Sequence, residues 1–234
     1  MKTKWFAVLL LLAALCPCAA IPASPSTNAA QAVLPFEQDI RAFAEADRVT
    51  PPKPGGILFV GSSIFRQWTN VAEQMAPLPV LNRAFGGSRT GDQLTRFDQV
   101  VTPHAPKIII YYCGSNDLNG GDLPDAIFER FKSFSGRVRR TFPDTRIVFV
   151  SSTRSPDRVN KWDRVDRYNT LVRDYCAATP GHTFIDINPA LFNAEGKTRL
   201  ELYQDDKLHF RPAAYVEFAA IIKPVVTRVW REAE

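Results

Sequence analysis

The residues in this chain that could form a nucleophile and its base are two adjacent serines and one histidine. Ser62 and Ser63 directly follow Gly61, and either hydroxyl is a candidate nucleophile. A serine hydroxyl reacts slowly at neutral pH unless a neighbouring base, usually a histidine oriented by a carboxylate, removes its proton. Of the three histidines, His209 alone has a carboxylate, that of Asp206, three positions earlier. A turn brings residues at that spacing within about 7 Å, so Asp206 can orient the imidazole, although the pair alone is equally typical of a surface hydrogen bond.

Groups able to stabilise a developing oxyanion lie in two further polar loops, residues 86–90 and 114–117. Acyl transfer places negative charge on a carbonyl oxygen, which free backbone N–H groups and amide side chains stabilise. Gly87 offers an N–H that a ligand can approach closely, Asn116 offers its amide, and Ser63 offers its N–H at the start of a predicted helix. Individually, these residues are as typical of tight turns and caps. Whether these residues form an oxyanion hole therefore depends on whether the fold brings them close together.

Hydrophobic patterning predicts strands that alternate with helices. We predict a first helix around residues 36–43, strands over residues 57–60, 79–82, 107–113, 146–151 and 183–187, and helices over 64–75, 90–101, 124–142, 161–178 and from 212 onwards. Continuously apolar strands are typical of a parallel sheet covered on both faces. The expected fold class is therefore α/β, a three-layer α/β/α sandwich with a five-stranded parallel sheet. Pro224 is expected to kink the last helix or end it early.

This topology brings the candidate residues to one edge of the sheet. Active sites of such folds lie at the carboxyl ends of the strands, and the loops with Ser63, Gly87 and Asn116 follow the first three strands. His104 and His182 lie in loops that lead into strands, so we expect them at the opposite edge. His209 is therefore the expected base.

The four stretches around these residues, in this order, resemble the sequence blocks of the SGNH hydrolases, also called the GDSL esterase and lipase family. The resemblance implies a flavodoxin-like sandwich and a serine ester hydrolase that needs no cofactor. Mapped by position, it places the nucleophile on Ser63, the acid and base on Asp206 and His209, and the oxyanion hole on the N–H groups of Ser63 and Gly87 and the amide of Asn116.

The first block departs from the usual family pattern at one position. The family most often has Asp before the nucleophile, whereas this chain has Ser62, and similar esterase-like members also carry two serines there. Ser63 is preferred because it stands two places after Gly61, as the family nucleophile does.

Several other classes are disfavoured. The Gly-x-Ser-x-Gly pentapeptide of the α/β-hydrolase fold does not occur. We expect no metal, since the histidines are far apart and no His-Glu-x-x-His or Cys-x-x-Cys arrangement exists. The expected partner is a small-molecule, glycan or lipid ester, with short-acyl or O-acetyl esters favoured because no segment resembles a long apolar lid. The alternatives are a lysophospholipase or thioesterase of the same family and a non-catalytic module that binds carbohydrate or phosphate through residues 86–90.

The N-terminus predicts export. Two lysines, an eleven-residue apolar run and small residues before position 21 are typical of a cleavable signal peptide over residues 1–20. The run is shorter than the roughly 17–25 residues of a membrane-spanning helix. Residues 21–35 are rich in Ala, Pro and Ser and predict a flexible linker, and residues 36–234 form the predicted hydrolase domain. Removal of the signal lowers the formal net charge from +5 to +3, too mild for a nucleic-acid partner. We expect a secreted or periplasmic protein.

Three further expectations concern side chains near the predicted site. Cys113 and Cys176 remain after signal removal and form either buried thiols or a disulfide. Asp117 is expected to order the loop of Asn116 by hydrogen bonding. Residues 153–161, with Arg154 and Arg158, are expected to wall the pocket.

Overall fold

The computed structural model describes residues 34–233. The predicted signal peptide and residues 21–33 of the predicted linker lie outside this range. The last two positions of that linker are bound to the domain, since Arg96 donates hydrogen bonds to the carbonyl oxygens of Leu34 (2.9 Å) and Pro35 (2.7 Å).

Five parallel strands form a single sheet. In chain order they are β1 Ile57–Gly61, β2 Val80–Asn82, β3 Ile108–Tyr112, β4 Arg146–Val150 and β5 His182–Ile185. Their spatial order is β2-β1-β3-β4-β5, and every pairing is parallel. This is the flavodoxin-like order, in which the connections reverse direction between β1 and β3 and leave a crevice at the carboxyl edge. The predicted five-stranded parallel sheet is confirmed.

Nine α-helices accompany the strands within the described range. They are α1 Glu37–Val49, α2 Ser63–Arg66, α3 Val71–Met75, α4 Thr90–Thr95, α5 Phe97–Val100, α6 Ser115–Asn119, α7 Pro124–Thr141, α8 Trp162–Ala178 and α9 Pro212–Arg231.

The helices cover both faces of the sheet, because successive strand residues point to opposite sides. Phe59 and Ile110 pack with α2, α3 and α9 on one face, whereas Val60 and Tyr111 pack with α1, α5, α7 and α8 on the other. The predicted three-layer sandwich is confirmed, with one apolar core on each side of the sheet.

The predicted helix over residues 64–75 is wrong, since the structure divides it into α2 and α3. The Asn82 side chain donates a hydrogen bond to the Phe65 carbonyl oxygen (2.7 Å), which a continuous helix would use for the next turn. Trp68, two residues after the end of α2, is fully buried. A contact with β2, distant in sequence, therefore ends α2.

The predicted helix over residues 90–101 is also interrupted, at Arg96 between α4 and α5. The Arg96 guanidinium is buried and binds Glu37 and Gln99 besides the carbonyls of residues 34–35. Of the two expected effects of Pro224, a kink or an early end of the last helix, the early end is wrong, since α9 continues to Arg231. Ile222 and Val226 on either side of this proline are buried in the core, which keeps the helix in place.

The predicted placement of the remaining histidines is confirmed. His182 opens β5 and His104 lies just before β3, at the amino edge of the sheet. Cys113 and Cys176 are both buried thiols, so of the two alternatives the structure has the unpaired one. Within residues 34–233, no helix is long and apolar enough to cross a membrane.

Candidate active site

Ser63 lies at the first turn of α2, two residues after the last residue of the interior strand β1. Gly61 makes the sharp exit from β1 possible: its φ is 155°, and a Cβ there would lie 2.0 Å from the Tyr112 carbonyl oxygen of β3. Ser62 donates its N–H to that same oxygen (3.1 Å) and is buried, whereas Ser63 is partly exposed. The turn thus presents Ser63 at the carboxyl edge and keeps Ser62 inside.

His209 contacts Ser63 through one ring nitrogen and Asp206 through the other. Its Nε2 lies 3.0 Å from Ser63 Oγ, and its Nδ1 lies 2.6 Å from Asp206 Oδ2. A proton on Nδ1 facing the carboxylate leaves the Nε2 lone pair free to accept the serine proton. The structure therefore brings Ser63, His209 and Asp206 together in the order that activates a serine.

Asp206 also holds the loop in which it lies. Its Oδ1 accepts hydrogen bonds from the backbone N–H groups of Leu208 (3.0 Å) and His209 (2.9 Å). Burial raises the pKa of this carboxyl, but the hydrogen bonds from the His209 side chain and the two N–H groups outweigh it and lower the pKa to about 2. Asp206 is therefore ionised at neutral pH and can orient and stabilise a protonated imidazole.

The loop with Gly87 is bound to the exit of β1. The buried Ser88 hydroxyl donates to the Phe85 carbonyl oxygen (2.8 Å), and the Gln93 amide donates to Ser88 Oγ (2.8 Å) and to the Gly61 carbonyl oxygen (3.2 Å). Gly87 has a φ of 78°, a conformation that favours glycine. Its backbone N–H makes no hydrogen bond to any residue in the described part of the chain.

Asn116 joins this cluster from the loop after β3. Its Nδ2 donates one hydrogen bond to the Ser88 carbonyl oxygen (3.0 Å), which leaves the second N–H of the amide available. The loops with Ser63, Gly87 and Asn116 are thus linked to one another through Gly61 and Ser88. The structure brings the three predicted oxyanion donors to the same edge of the sheet.

Asp117 orders the second and third loops, as predicted. It is fully buried and accepts hydrogen bonds from the Thr90 N–H (3.1 Å) and from Arg130 (3.2 Å), while Arg130 also pairs with Asp122. Sequence reasoning missed Thr90 and Arg130 as supports of the site. Thr90 follows the glycine loop and was a detectable cap candidate, but Arg130 lies in the middle of α7 and carries no local signal.

Residues 153–161 lie beside the loops of both Asn116 and His209. Arg158 Nη1 lies 3.4 Å from Ser115 Oγ, and the Asp157 N–H donates to the Lys207 carbonyl oxygen at 3.4 Å. Much of this segment is the short 3-10 helix Pro156–Lys161. That it walls the substrate pocket stays a prediction. Among the residues that the structure describes, no group of three His, Cys, Asp or Glu side chains is arranged to hold a metal ion.

This fold and this arrangement of a serine, a histidine and a carboxylate agree with the comparison to protein families. Residues 59–216 match the model of the GDSL-like Lipase/Acylhydrolase family. The chain belongs to this family and is an ester hydrolase.

Among the individual relatives are two proteins named as ester hydrolases and one solved structure with a similar fold. The chain is 25% identical over 179 residues to platelet-activating factor acetylhydrolase IB subunit alpha1 from Pongo abelii, covering 74% of this chain and 76% of that one. It is 25% identical over 135 residues to an arylesterase from Vibrio mimicus, covering 58% and 63% respectively. The chain also aligns with the structure of a GDSL-like lipase from Bacteroides thetaiotaomicron, with a TM-score of 0.67 and 17% identity. The alignment includes 81% of this chain and 97% of the lipase chain. That likeness is one of fold alone.

Proposed function

We propose that this ester hydrolase is an exported enzyme that cleaves short-acyl or O-acetyl esters, with Ser63 as nucleophile, His209 as general base and Asp206 as the group that orients it. The observation that carries the proposal is the continuous contact from Ser63 Oγ to His209 Nε2 (3.0 Å) and from His209 Nδ1 to Asp206 Oδ2 (2.6 Å). A protein that only binds its ligand has no need of a serine, a histidine and a carboxylate hydrogen-bonded in this order.

The first stage forms an acyl-enzyme. Ser63 Oγ attacks the ester carbonyl carbon while His209 Nε2 takes the hydroxyl proton, and the carbonyl oxygen becomes an oxyanion. When the intermediate collapses, the bond to the leaving oxygen breaks and His209 returns its proton to that oxygen, which releases the alcohol.

Water completes the reaction in the second stage. His209 accepts a proton from a water molecule, and the resulting hydroxide attacks the acyl carbon. Collapse breaks the bond to Ser63 Oγ, which takes the proton back from His209 and releases the acid. Asp206 stays ionised throughout and stabilises the imidazolium formed in each stage.

The oxyanion is assigned to the Ser63 and Gly87 N–H groups and the Asn116 amide. The available N–H of Gly87 and the second N–H of the Asn116 amide support this assignment. Each of the three loops is bound to its neighbours, so the donors require little reorganisation as charge develops.

One of the relatives supports a short acyl group, since it is named an acetylhydrolase. Another is named an arylesterase, a name that indicates ester hydrolysis but specifies no acyl group. The alternative, a lysophospholipase or thioesterase, predicts higher activity on long acyl chains. A series of 4-nitrophenyl esters from acetate to palmitate distinguishes the two, since a steep fall in kcat/KM beyond short chains is expected here and a rise would contradict it.

Export is supported by residues 1–20 alone. Expression of the full chain in a bacterial host, followed by N-terminal sequencing of the protein from the periplasm or medium, tests it. We expect a mature chain that begins near residue 21, and an uncleaved cytoplasmic product would contradict export.

Separate replacement of each of the two adjacent serines by alanine tests the catalytic assignment. Ser63→Ala is expected to lower kcat for 4-nitrophenyl acetate by more than about 10⁴-fold, since the nucleophile is lost. Ser62→Ala is the matched control and should retain turnover, because the Ser62 side chain is buried and the His209 ring hydrogen-bonds to Ser63 and Asp206 instead. A folded Ser63→Ala protein that hydrolyses the ester at the parental rate would refute the assignment.

A further inference from the structure

A cavity of about 550 Å³ lies at the carboxyl ends of β4 and β5, on the same edge of the sheet as His209 but apart from it. Helix α8 forms one side, and the segment that follows β5 forms the other. Its volume is within the range of about 300–1,000 Å³ that small-molecule sites occupy. Neither Ser63 nor His209 lines it, so ester hydrolysis does not account for its chemistry.

Three aromatic rings form the apolar part of the wall. Trp162, Phe184 and Phe192 are all partly exposed and line the cavity. The rings of Trp162 and Phe192 meet nearly at right angles with centroids 5.5 Å apart. The Trp162 Nε1–H donates to the Ser155 carbonyl oxygen (2.9 Å), which fixes the indole. This wall offers rigid ring surface to the apolar face of a ligand.

The polar part of the wall is a hydrogen-bond network in which some donor and acceptor atoms remain available to a ligand. Arg154 Nε donates to Asp166 Oδ1 (2.7 Å), the Arg154 N–H donates to Asn188 Oδ1 (2.8 Å), and Asn188 Nδ2 donates to Asp186 Oδ1 (2.9 Å). These bonds hold the side chains in place. Within residues 34–233, the second carboxylate oxygens of Asp166 and Asp186 and both terminal nitrogens of Arg154 make no hydrogen bond.

Charges of both signs line the cavity in equal number. Arg154 and Arg173 contribute two positive charges, and Asp166 and Asp186 contribute two negative charges. An anionic ligand would face the two carboxylates, and an acyl chain would have to desolvate all four groups without pairing them. A ligand whose hydroxyls both donate and accept hydrogen bonds can satisfy carboxylate oxygens and guanidinium nitrogens together. The lining therefore favours a neutral polyol with an apolar face, which is the chemistry of a sugar ring.

One segment connects this cavity to the candidate active site. Residues 154–162 border the cavity at Arg154 and Trp162, and between these positions Asp157 contacts the Lys207 backbone, next to Asp206. The Tyr203 hydroxyl also donates to the Arg154 carbonyl oxygen (3.3 Å). We infer that the cavity binds a neutral sugar unit of an O-acylated glycan whose ester group is cleaved at Ser63. The second half of this inference rests on the proposed function.

Sugar binding can be measured without hydrolysis in the Ser63→Ala protein. Saturation-transfer NMR with cellotetraose, xylotetraose and mannotetraose is expected to show transfer to at least one of the three. Adding Arg173→Ala should raise the Kd of that sugar by about tenfold, through loss of a charged hydrogen-bond donor. Arg167→Ala is the matched control on the same helix, since the two side chains are 54% and 55% exposed and Arg167 does not line the cavity.

Three results of these binding measurements would overturn the inference, and the first two concern the neutral sugars. One is the absence of transfer to all three sugars, and the other is an equal effect of Arg173→Ala and Arg167→Ala on the Kd. Tighter binding of tetragalacturonate than of every neutral sugar would also overturn it, because that result would mean an anionic ligand.

Kinetics separate this inference from the proposed function. In the protein with Ser63 intact, Arg173→Ala is expected to reduce kcat/KM on the acetylated form of the bound tetrasaccharide at least ten times more than on 4-nitrophenyl acetate, mainly through KM. Equal reductions on both esters would overturn the link between cavity and ester. If the parental protein hydrolyses neither ester, the proposed function fails, and the titration still decides whether the cavity holds a sugar.

Discussion

Asp206 contributes to the candidate site through both of its carboxylate oxygens. Oδ2 orients the His209 ring, while Oδ1 binds the backbone N–H groups of Leu208 and His209 and so shapes the turn that carries the ring. The spacing of three residues is what allows one side chain to do both. The same spacing makes the pair detectable in the sequence, although only the fold brings Ser63 to it.

The Asn116 amide provides a residue-scale test of the oxyanion assignment. Asn116→Ala removes one donor, and we expect kcat for 4-nitrophenyl acetate to fall by about 10²–10³-fold with little change in KM. Steady-state kinetics give both values, and circular dichroism verifies the fold, since the hydrogen bond to the Ser88 carbonyl oxygen is lost as well. A folded variant with parental kcat would remove Asn116 from the oxyanion hole.

At this scale, the sequence predicted the residues that carry motifs and missed those that support them. Ser63, Gly87, Asn116, Asp206 and His209 lie in short blocks with recognisable spacing. Arg130 reaches Asp117 and Thr90 from the middle of α7, across 13 and 40 positions. Such a contact depends on how the helix packs, and a single sequence carries no local sign of it.

At the scale of elements, the close approach of β1 and β3 sets the position of the nucleophile. Gly61→Ala would place a Cβ 2.0 Å from the Tyr112 carbonyl oxygen, so the neighbouring strands β1 and β3 would have to separate. Gly121→Ala is the matched control, because Gly121 also has a positive φ (98°) but no atom lies within 4 Å of its added Cβ.

We expect Gly121→Ala to lower the free energy of unfolding by about 1–2 kcal/mol, the cost of the backbone conformation. Gly61→Ala should cost several kcal/mol, in the range of severe core substitutions, or prevent folding altogether. Urea denaturation measures both. Equal losses would mean that the strands separate easily and that Gly61 matters for its φ alone.

The elements that hydrophobic patterning misjudged are those whose ends depend on distant groups. The five strands, the long helices α7 and α8 and the start of α9 at Pro212 followed from patterns within about ten to twenty residues. Helix α2 ends where Asn82 takes the Phe65 carbonyl oxygen, and α4 ends where Arg96 turns inward to residues 34–35. Both breaks come from tertiary contacts that outweigh local propensity.

At the scale of the whole molecule, the buried His104 and the half-buried His182 link stability to pH. Burial lowers the pKa of both His104 and His182, so the unfolded chain, with ordinary values of about 6.5, binds protons more readily than the folded one. The free energy of unfolding should therefore fall as the pH falls from about 7 through 6.5 and below.

Replacement of one of these histidines tests the linkage. His104→Leu removes a ring that has no hydrogen-bond partner among residues 34–233, although Asp47 lies 3.7 Å away. We expect the difference in unfolding free energy between pH 7 and pH 5 to be smaller in this variant than in the parental protein. Urea denaturation at the two pH values measures it, and an unchanged difference would exclude His104 as a source of the dependence.

The central claim is that Ser63 is a nucleophile activated by His209, and covalent labelling tests it most directly. The folded parental protein is incubated with a fluorophosphonate probe, digested and mapped by tandem mass spectrometry, with Ser63→Ala and His209→Ala treated in parallel. We predict a single adduct on Ser63 that is absent from Ser63→Ala and forms much more slowly in His209→Ala. An adduct on Ser62, or no labelled serine in the folded parental protein, would contradict the claim.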